Sequence, residues 1–243
     1  MVFLWALVGL FAGSALNLLI HRLLRMEKLS EPVATFKPPE PRPLHRQSAL
    51  LYLMSTLAGR RDEAASWPGA IALGVELSTA AAFGLLWLRF GQDTRTLLAS
   101  AYACVMVVIF VIDWQRHLIY RIVVLPVTLL SLLLTPLVFQ TPAYSSILGL
   151  LTGGFFFGMV FFLGLLIFRV EAIGWGDVEL SLMLGAMLGF PAIVAAMLVT
   201  SLFGGVASVA LLARRRSMRS YMPYGTAMCL GAFTTILLNG SLF

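Results

Sequence analysis

The stretch AIGWGDVEL, residues 172–180, lies between two long apolar runs, and the interpretation of the rest of the chain depends on it. Its carboxylate, Asp177, follows Gly174 and Gly176 and precedes a further apolar segment over residues 178–190. An ionisable group at the mouth of a membrane helix is costly and usually functional. The two glycines lack a Cβ atom, so backbone or substrate can approach Asp177 closely. The simpler hypothesis is that Asp177 is only the N-cap of the helix that follows.

A second acid, Asp113, also follows an apolar run, residues 99–112. Two carboxyl groups close together in a low dielectric cannot both ionise cheaply, so one stays protonated while the other acts as a base. Such a pair activates a water molecule and protonates a scissile carbonyl oxygen. If their helices are neighbours, Asp113 and Asp177 therefore favour the chemistry of an aspartic protease inside a membrane protein.

Composition sets the fold class. Of the 243 residues 60% are hydrophobic, and the mean hydropathy is +0.93, far above that of a soluble domain. We therefore predict an all-α polytopic membrane protein with about eight transmembrane helices, and we divide it into residues 1–69, a first helix plus a polar loop, and residues 70–243, a membrane bundle. The eight predicted helices are 2–21, 70–90, 96–112, 122–139, 146–168, 178–190, 192–213 and 223–238.

The charged residues are few and lie mainly in the loops. Lys, Arg, Asp and Glu make up only 12% of the chain, so the net charge of +6 does not indicate a nucleic-acid partner, and membrane lipid is the expected surrounding. Assigning alternate loops to alternate sides places 15 of the 17 Lys and Arg on one side and only Arg89 and Arg95 on the other. The positive-inside rule makes the first side cytoplasmic. Asp113 and Asp177 both fall on that side.

Two polar residues interrupt the first two apolar runs. Asn17 lies one turn beyond Gly9 and Gly13, whose spacing favours close helix packing, and an interhelical hydrogen bond is its expected role. Glu76, in the second run, is either functional or a structural hydrogen-bond partner. Neither the two cysteines nor the three histidines show a ligand spacing, so we expect no metal site and no disulfide framework.

Taken in order, these segments resemble one family, the bacterial prepilin peptidases, which are membrane aspartic proteases of the GxGD type. GWGD at 174–177 resembles the family's second catalytic motif, and Asp113 resembles the first. GLFAGSALNLLIHRL at 9–23 is similar to the family's opening, Val75-Glu76-Leu77 to its V-E-L, and Met222-Pro223-Tyr224-Gly225 to its closing P-[FY]-G.

The resemblance implies that Asp113 and Asp177 are catalytic and that Gly174, Gly176, Glu76 and Asn17 shape the site. It implies cleavage of the basic leader of type IV prepilins or pseudopilins, at the cytoplasmic face of the bacterial inner membrane, by a multi-pass enzyme. The peptidase step would need no cofactor. Many members also methylate the new N-terminus with S-adenosylmethionine, which is the expected cofactor if residues 1–69 retain that activity.

The chain departs from the family at three places. Tyr120-Arg121 stands where a Pro-Asp pair is common, Glu179 stands where Lys is common, and segment 22–69 has no Cys where typical members carry two CxxC pairs. These departures keep open the hypothesis of an inactive relative that serves as an assembly subunit. Two more hypotheses compete with the prepilin peptidase: a protease of the presenilin or signal-peptide-peptidase kind, and a transporter that uses the two Asp for proton coupling.

Overall fold

The structure, a computed structural model, describes residues 1–30, 48, 70–169, 173–213 and 224–238. These residues form eight α-helices and no β-strand, and a short π-helix, Gly164–Phe168, continues the fifth helix. The helices are α1 (Val2–Ser30), α2 (Ala70–Phe90), α3 (Thr94–Arg116), α4 (Arg121–Phe139), α5 (Ala143–Leu163), α6 (Trp175–Leu188), α7 (Ala192–Ala213) and α8 (Tyr224–Leu238).

Five of these helices, α1 to α5, are long and apolar enough to cross a membrane. Shorter apolar segments lie in α7, over Ala192–Val206, and in α8. The all-α polytopic class predicted from the sequence is therefore confirmed. Several helix bounds differ from the prediction: α1 continues to Ser30 through residues with high helix propensity, α3 continues to Arg116, α5 begins at Ala143, and α6 begins at Trp175 because Gly174 is its N-cap.

The chain divides into two compact units, of which the first comprises Met1–Leu88 and Ala103–Val108. Here α1 packs closely on α2 at the two glycines. A Cβ atom on Gly9 would lie 2.8 Å from the Cβ of Phe83, and one on Gly13 would lie 2.8 Å from the Cα of Glu76. The predicted close-packing face is confirmed. The predicted boundary between residues 1–69 and 70–243 stays a prediction, because residues 31–47 and 49–69 lie outside the described part of the chain.

The second unit comprises Arg89–Tyr102 and Ile109–Phe243, and its most buried helix is α6. Ten of the 14 residues of α6 are buried, as expected for a helix that is apolar on all sides. Helices α5 and α6 approach so closely that a Cβ atom on Gly149 would meet the carbonyl oxygen of Gly185, and a Cβ atom on Gly185 would meet the carbonyl oxygen of Gly149. This contact fixes α6, which carries Asp177 at its N-terminal end.

Helix α3 is held within the second unit through its N-terminal half. The Tyr102 hydroxyl and the Thr135 hydroxyl of α4 share a hydrogen bond of 2.7 Å, and Thr135 also donates to the Met187 carbonyl oxygen of α6 at 3.4 Å. The other end of α3 carries Asp113.

Candidate active site

Asp113 lies in the last turn of α3 and is only 4% exposed. Its Oδ2 atom accepts a hydrogen bond of 2.8 Å from the backbone N–H of Thr226, in the first turn of α8. The first N–H groups of a helix have no partner within the helix, and the helix dipole favours negative charge there. The N-terminus of α8 therefore positions the Asp113 carboxylate.

Only a glycine fits next to that carboxylate. A Cβ atom on Gly225 would lie 2.9 Å from Asp113 Oδ2 and 3.1 Å from its Cγ, closer than ordinary van der Waals contact. The absence of a side chain at position 225 lets the backbone of α8 approach the acid. In the sequence, Gly225 stood out only as the glycine of the Pro-Tyr-Gly segment. Met222 and Pro223 of the same motif lie outside the described residues.

Asp177 is the third residue of α6 and is half-buried. Its Oδ2 atom accepts a hydrogen bond of 3.2 Å from the N–H of Gly174. Gly174 occupies the N-cap position, and the Asp177 side chain folds back onto it from the third helical position. Asp177 thus helps to cap α6, as the simpler hypothesis expected, although it is not the N-cap residue itself. A catalytic role for Asp177 stays a prediction.

The two acids interact electrostatically. Burial raises the pKa of Asp177 to about 7, the nearby Asp113 raises it as well, and the hydrogen bond from Gly174 opposes both effects. A carboxyl group with this pKa holds its proton through much of the range up to neutral pH. The structure thus brings together the two acids that were predicted from the sequence, close enough for the charge of Asp113 to raise the pKa of Asp177.

The segment after α3 forms an apolar wall of the site. A Cβ atom on Gly176 would lie 3.1 Å from the Cβ of Ile119, and one on Gly225 would lie 3.3 Å from the Cδ1 of Ile119. Ile119 thus contacts both the glycine before Asp177 and the glycine beside Asp113. It was not predicted as a site residue, because a single isoleucine in a loop gives no sequence signal.

A charged contact that the sequence analysis did not predict lies in the same unit. The Nε of Arg121 donates to Oε1 of Glu179 at 2.8 Å, the Nη2 of Arg121 forms an ion pair with the same oxygen, and the indole N–H of Trp175 donates to it at 2.9 Å. Arg121 and Glu179 are two of the positions at which the chain departs from the resembled family. The opposite charges of Arg121 and Glu179 are the feature of the sequence that could have indicated this contact.

Glu76 and Asn17 belong to the first unit, where they are buried and hydrogen-bonded to each other. The Asn17 amide donates to Glu76 Oε1 at 3.3 Å and to the Ala72 carbonyl oxygen at 3.0 Å. The Ser48 hydroxyl donates to Glu76 Oε1 at 2.6 Å. The interhelical hydrogen bond expected of Asn17 is present, and a site-shaping role for either residue stays a prediction.

Within the described ranges, no three His, Cys, Asp or Glu side chains converge as metal ligands would. The chemistry available from the described acids is proton transfer. Two neighbouring carboxyl groups, one with its proton and one without, can act together as acid and base on a bound water molecule.

Comparison with known proteins points in the same direction. The type IV leader peptidase family matches residues 100–209, a range that includes Asp113, Arg121, Asp177 and Glu179. The relatives include three proteins from different species that carry the name prepilin leader peptidase/N-methyltransferase. The Pseudomonas putida protein is 25% identical over 64% of this chain and 54% of its own length, so the match spans about half of that relative. The Pseudomonas aeruginosa protein is 25% identical over 95% and 88%, and the Klebsiella pneumoniae protein 27% identical over 82% and 92%. No solved structure matches this chain.

Proposed function

We propose that this protein is a membrane aspartic endopeptidase that cleaves the basic leader of type IV prepilins or pseudopilins, and the match of residues 100–209 to the type IV leader peptidase family supports this. The observation that carries the proposal is the interaction of Asp113 with Asp177 inside that matched range. The names of the relatives support the substrate class.

In the proposed mechanism, Asp113 is the base and Asp177 is the acid. The N–H of Thr226 donates to Asp113, and a hydrogen bond to the charged form favours that form. Asp177, with a pKa of about 7, supplies the proton. The two roles follow from the raised pKa of Asp177: burial and the charge of Asp113 keep the shared proton on Asp177, which leaves Asp113 as the base.

The reaction balances with one water molecule. Asp113 takes a proton from water as the water oxygen bonds to the scissile carbonyl carbon, and Asp177 donates its proton to the carbonyl oxygen. The resulting gem-diol returns a proton to Asp177 as the C–N bond breaks, and the leaving nitrogen takes the proton held by Asp113. Both acids are then restored. These transfers need no metal, so we expect a chelator to leave the rate unchanged.

Co-expression with a cognate prepilin, in a host that lacks its own prepilin peptidase, tests the proposal. The wild-type chain should shorten the prepilin, and N-terminal sequencing should locate the cut after the basic leader. Asp113→Asn and Asp177→Asn should each abolish cleavage, because either change leaves one ionisable group. Asp93→Asn is the matched control, since Asp93 is exposed at the N-cap of α3. Cleavage retained by either active-site variant would refute the assignment, and a wild-type chain that never cleaves would favour the inactive assembly subunit.

We further propose that the enzyme lies in the bacterial inner membrane with both acids on the cytoplasmic side. The distribution of Lys and Arg, 15 on one side and two on the other, supports this orientation. A reporter that works only in the cytoplasm should be active when fused after Arg216 and inactive when fused after Ala143. The reverse pattern would place the acids on the far side from a basic leader.

N-methyltransferase is the second activity in the relatives' names, and the resemblance implies that its target is the new N-terminus. Segment 22–69 lacks the cysteines common in the resembled family, and most of it lies outside the described residues. We propose that methylation is weak or absent and that cleavage does not depend on S-adenosylmethionine. Mass spectrometry of a pilin processed by this enzyme alone gives the answer, because quantitative addition of one methyl group to the mature N-terminus would contradict the proposal.

A further inference from the structure

The contact between Arg121 and Glu179 joins two segments that lead away from the two acids. Arg121 is the first residue of α4 and follows Asp113 by eight positions, whereas Glu179 follows Asp177 by two positions on α6. The guanidinium group donates to Glu179 through Nε at 2.8 Å and also through Nη2. A guanidinium contact made through two nitrogens fixes orientation as well as distance.

A second contact lies beside the first. Ile119 packs against Gly176, with 3.1 Å between the Ile119 Cβ and the position of a Cβ on the glycine. Residues 119 and 121 therefore both contact the first turns of α6, on either side of Asp177. Glu179 is held from its own helix as well, since the Trp175 indole donates to the same oxygen and packs edge-on against Phe161 with 5.4 Å between ring centres.

We propose that Arg121 and Glu179 are positioning residues, whose ion pair holds segment 119–121 against α6 and so sets the separation of the Asp113 and Asp177 carboxyl groups. The proposal rests on the proposed function for its catalytic meaning. Its structural content, the docking of segment 119–121 on α6, is independent of that function.

Burial indicates what the pair does. The Glu179 side chain is only 11% exposed and needs donors, whereas the Arg121 side chain is 62% exposed. An ion pair with one such exposed partner adds little to global stability. Its effect is therefore expected in local geometry, where a displacement of the order of 1 Å lowers a catalytic rate by about a hundredfold.

Because Arg121 and Glu179 carry opposite charges, the decisive variant is the doubly reversed Arg121→Asp/Glu179→Lys. It restores opposite charges with the signs in the other order.

The first test measures kcat and KM for prepilin cleavage by the full chain in detergent. Arg121→Gln and Glu179→Gln should each lower kcat by about tenfold or more with KM little changed, and the double reversal should recover most of kcat. Tyr102→Phe is the control, because it removes a buried hydrogen bond to Thr135 in the same unit and should lower the melting temperature while kcat stays at the wild-type value. Single variants with wild-type kcat would overturn the proposal.

The second test needs no activity. Ile119→Cys and Gly176→Cys are introduced together with Cys104→Ala and Cys229→Ala, and disulfide formation is measured in membranes under mild oxidation. The Cβ atoms at 119 and 176 lie within a few tenths of an ångström of disulfide spacing. Adding Arg121→Gln should lower the cross-linking yield several-fold, and the double reversal should restore it.

An unchanged yield after Arg121→Gln would overturn the positioning role even if the enzyme cleaves prepilins. Conversely, a wild-type chain that cleaves no prepilin would refute the proposed function alone, because the cross-linking result would still report on the docking of segment 119–121.

Discussion

Gly225→Ala adds one methyl group beside the Asp113 carboxylate and changes neither acid. The added Cβ atom would lie 2.9 Å from Oδ2 and 3.1 Å from Cγ of Asp113, and 3.3 Å from Cδ1 of Ile119. The Thr226 N–H donates to the same Oδ2 at 2.8 Å from the next residue of the chain. The carboxylate therefore cannot move away from the methyl group without lengthening this hydrogen bond.

The magnitude follows from the overlap. Ordinary contact begins near 3.4 Å, so the carboxylate or the start of α8 must shift by about 0.5 Å, and misplacement of about 1 Å costs a catalytic site up to about a hundredfold. We expect kcat to fall about tenfold, which is half of that loss on a logarithmic scale. Overpacking of this kind also costs about 1–3 kcal/mol of stability.

The assay is the initial rate of prepilin cleavage by purified protein, with thermal melting recorded for the same samples. Gly205→Ala is the matched control, because Gly205 lies within α7 and a Cβ atom there would meet nothing within 4 Å. It should keep the wild-type rate and gain about 1 kcal/mol of stability from helix propensity. If Gly225→Ala cleaved at the wild-type rate, the close approach of α8 to Asp113 would not matter for catalysis and the reasoning would be wrong.

Three further predictions concern protonation and packing. The cleavage rate should fall as the pH rises through about 7, because Asp177 then loses the proton that it donates, and a rate that stays constant into the alkaline range would contradict this. Gly149→Ala should lower the melting temperature, because overpacking against the Gly185 carbonyl costs about 1–3 kcal/mol, and an unchanged melting curve would argue against the close approach of α5 and α6. Glu76→Leu should destabilise the chain by about 1–3 kcal/mol more than Glu76→Gln does, because leucine leaves the Asn17 amide and the Ser48 hydroxyl without this acceptor. Thermal melting of the two variants measures the difference, and equal melting temperatures would refute this prediction.

Much of the fold could be predicted from composition and spacing. Long apolar runs must form helices in a membrane, since every backbone polar group has to be satisfied within its own segment. The runs therefore predicted the eight helices and their order, and the glycine spacing predicted the close packing of α1 on α2. The end of α1 at Ser30 was missed, because hydropathy marks where an apolar run ends and not where a helix ends.

The candidate acids were also found from the sequence, because carboxylates beside apolar runs are rare and costly. Their interaction was only a hypothesis at that stage, since sequence spacing does not state which helices are neighbours. The tertiary structure brings the two acids into electrostatic contact and gives each carboxyl group a backbone hydrogen bond, from Thr226 to Asp113 and from Gly174 to Asp177.

The sequence by itself determined the class of protein, the helix order and the two acids, because these depend on residue type and on local hydrophobicity. Only the tertiary structure decided that Gly225 lies against Asp113, that Ile119 lies between the two glycines, and that Arg121 pairs with Glu179. Each of these contacts joins residues that are far apart in the chain. Which distant residues meet depends on how whole helices pack, and single residue types carry no record of that packing.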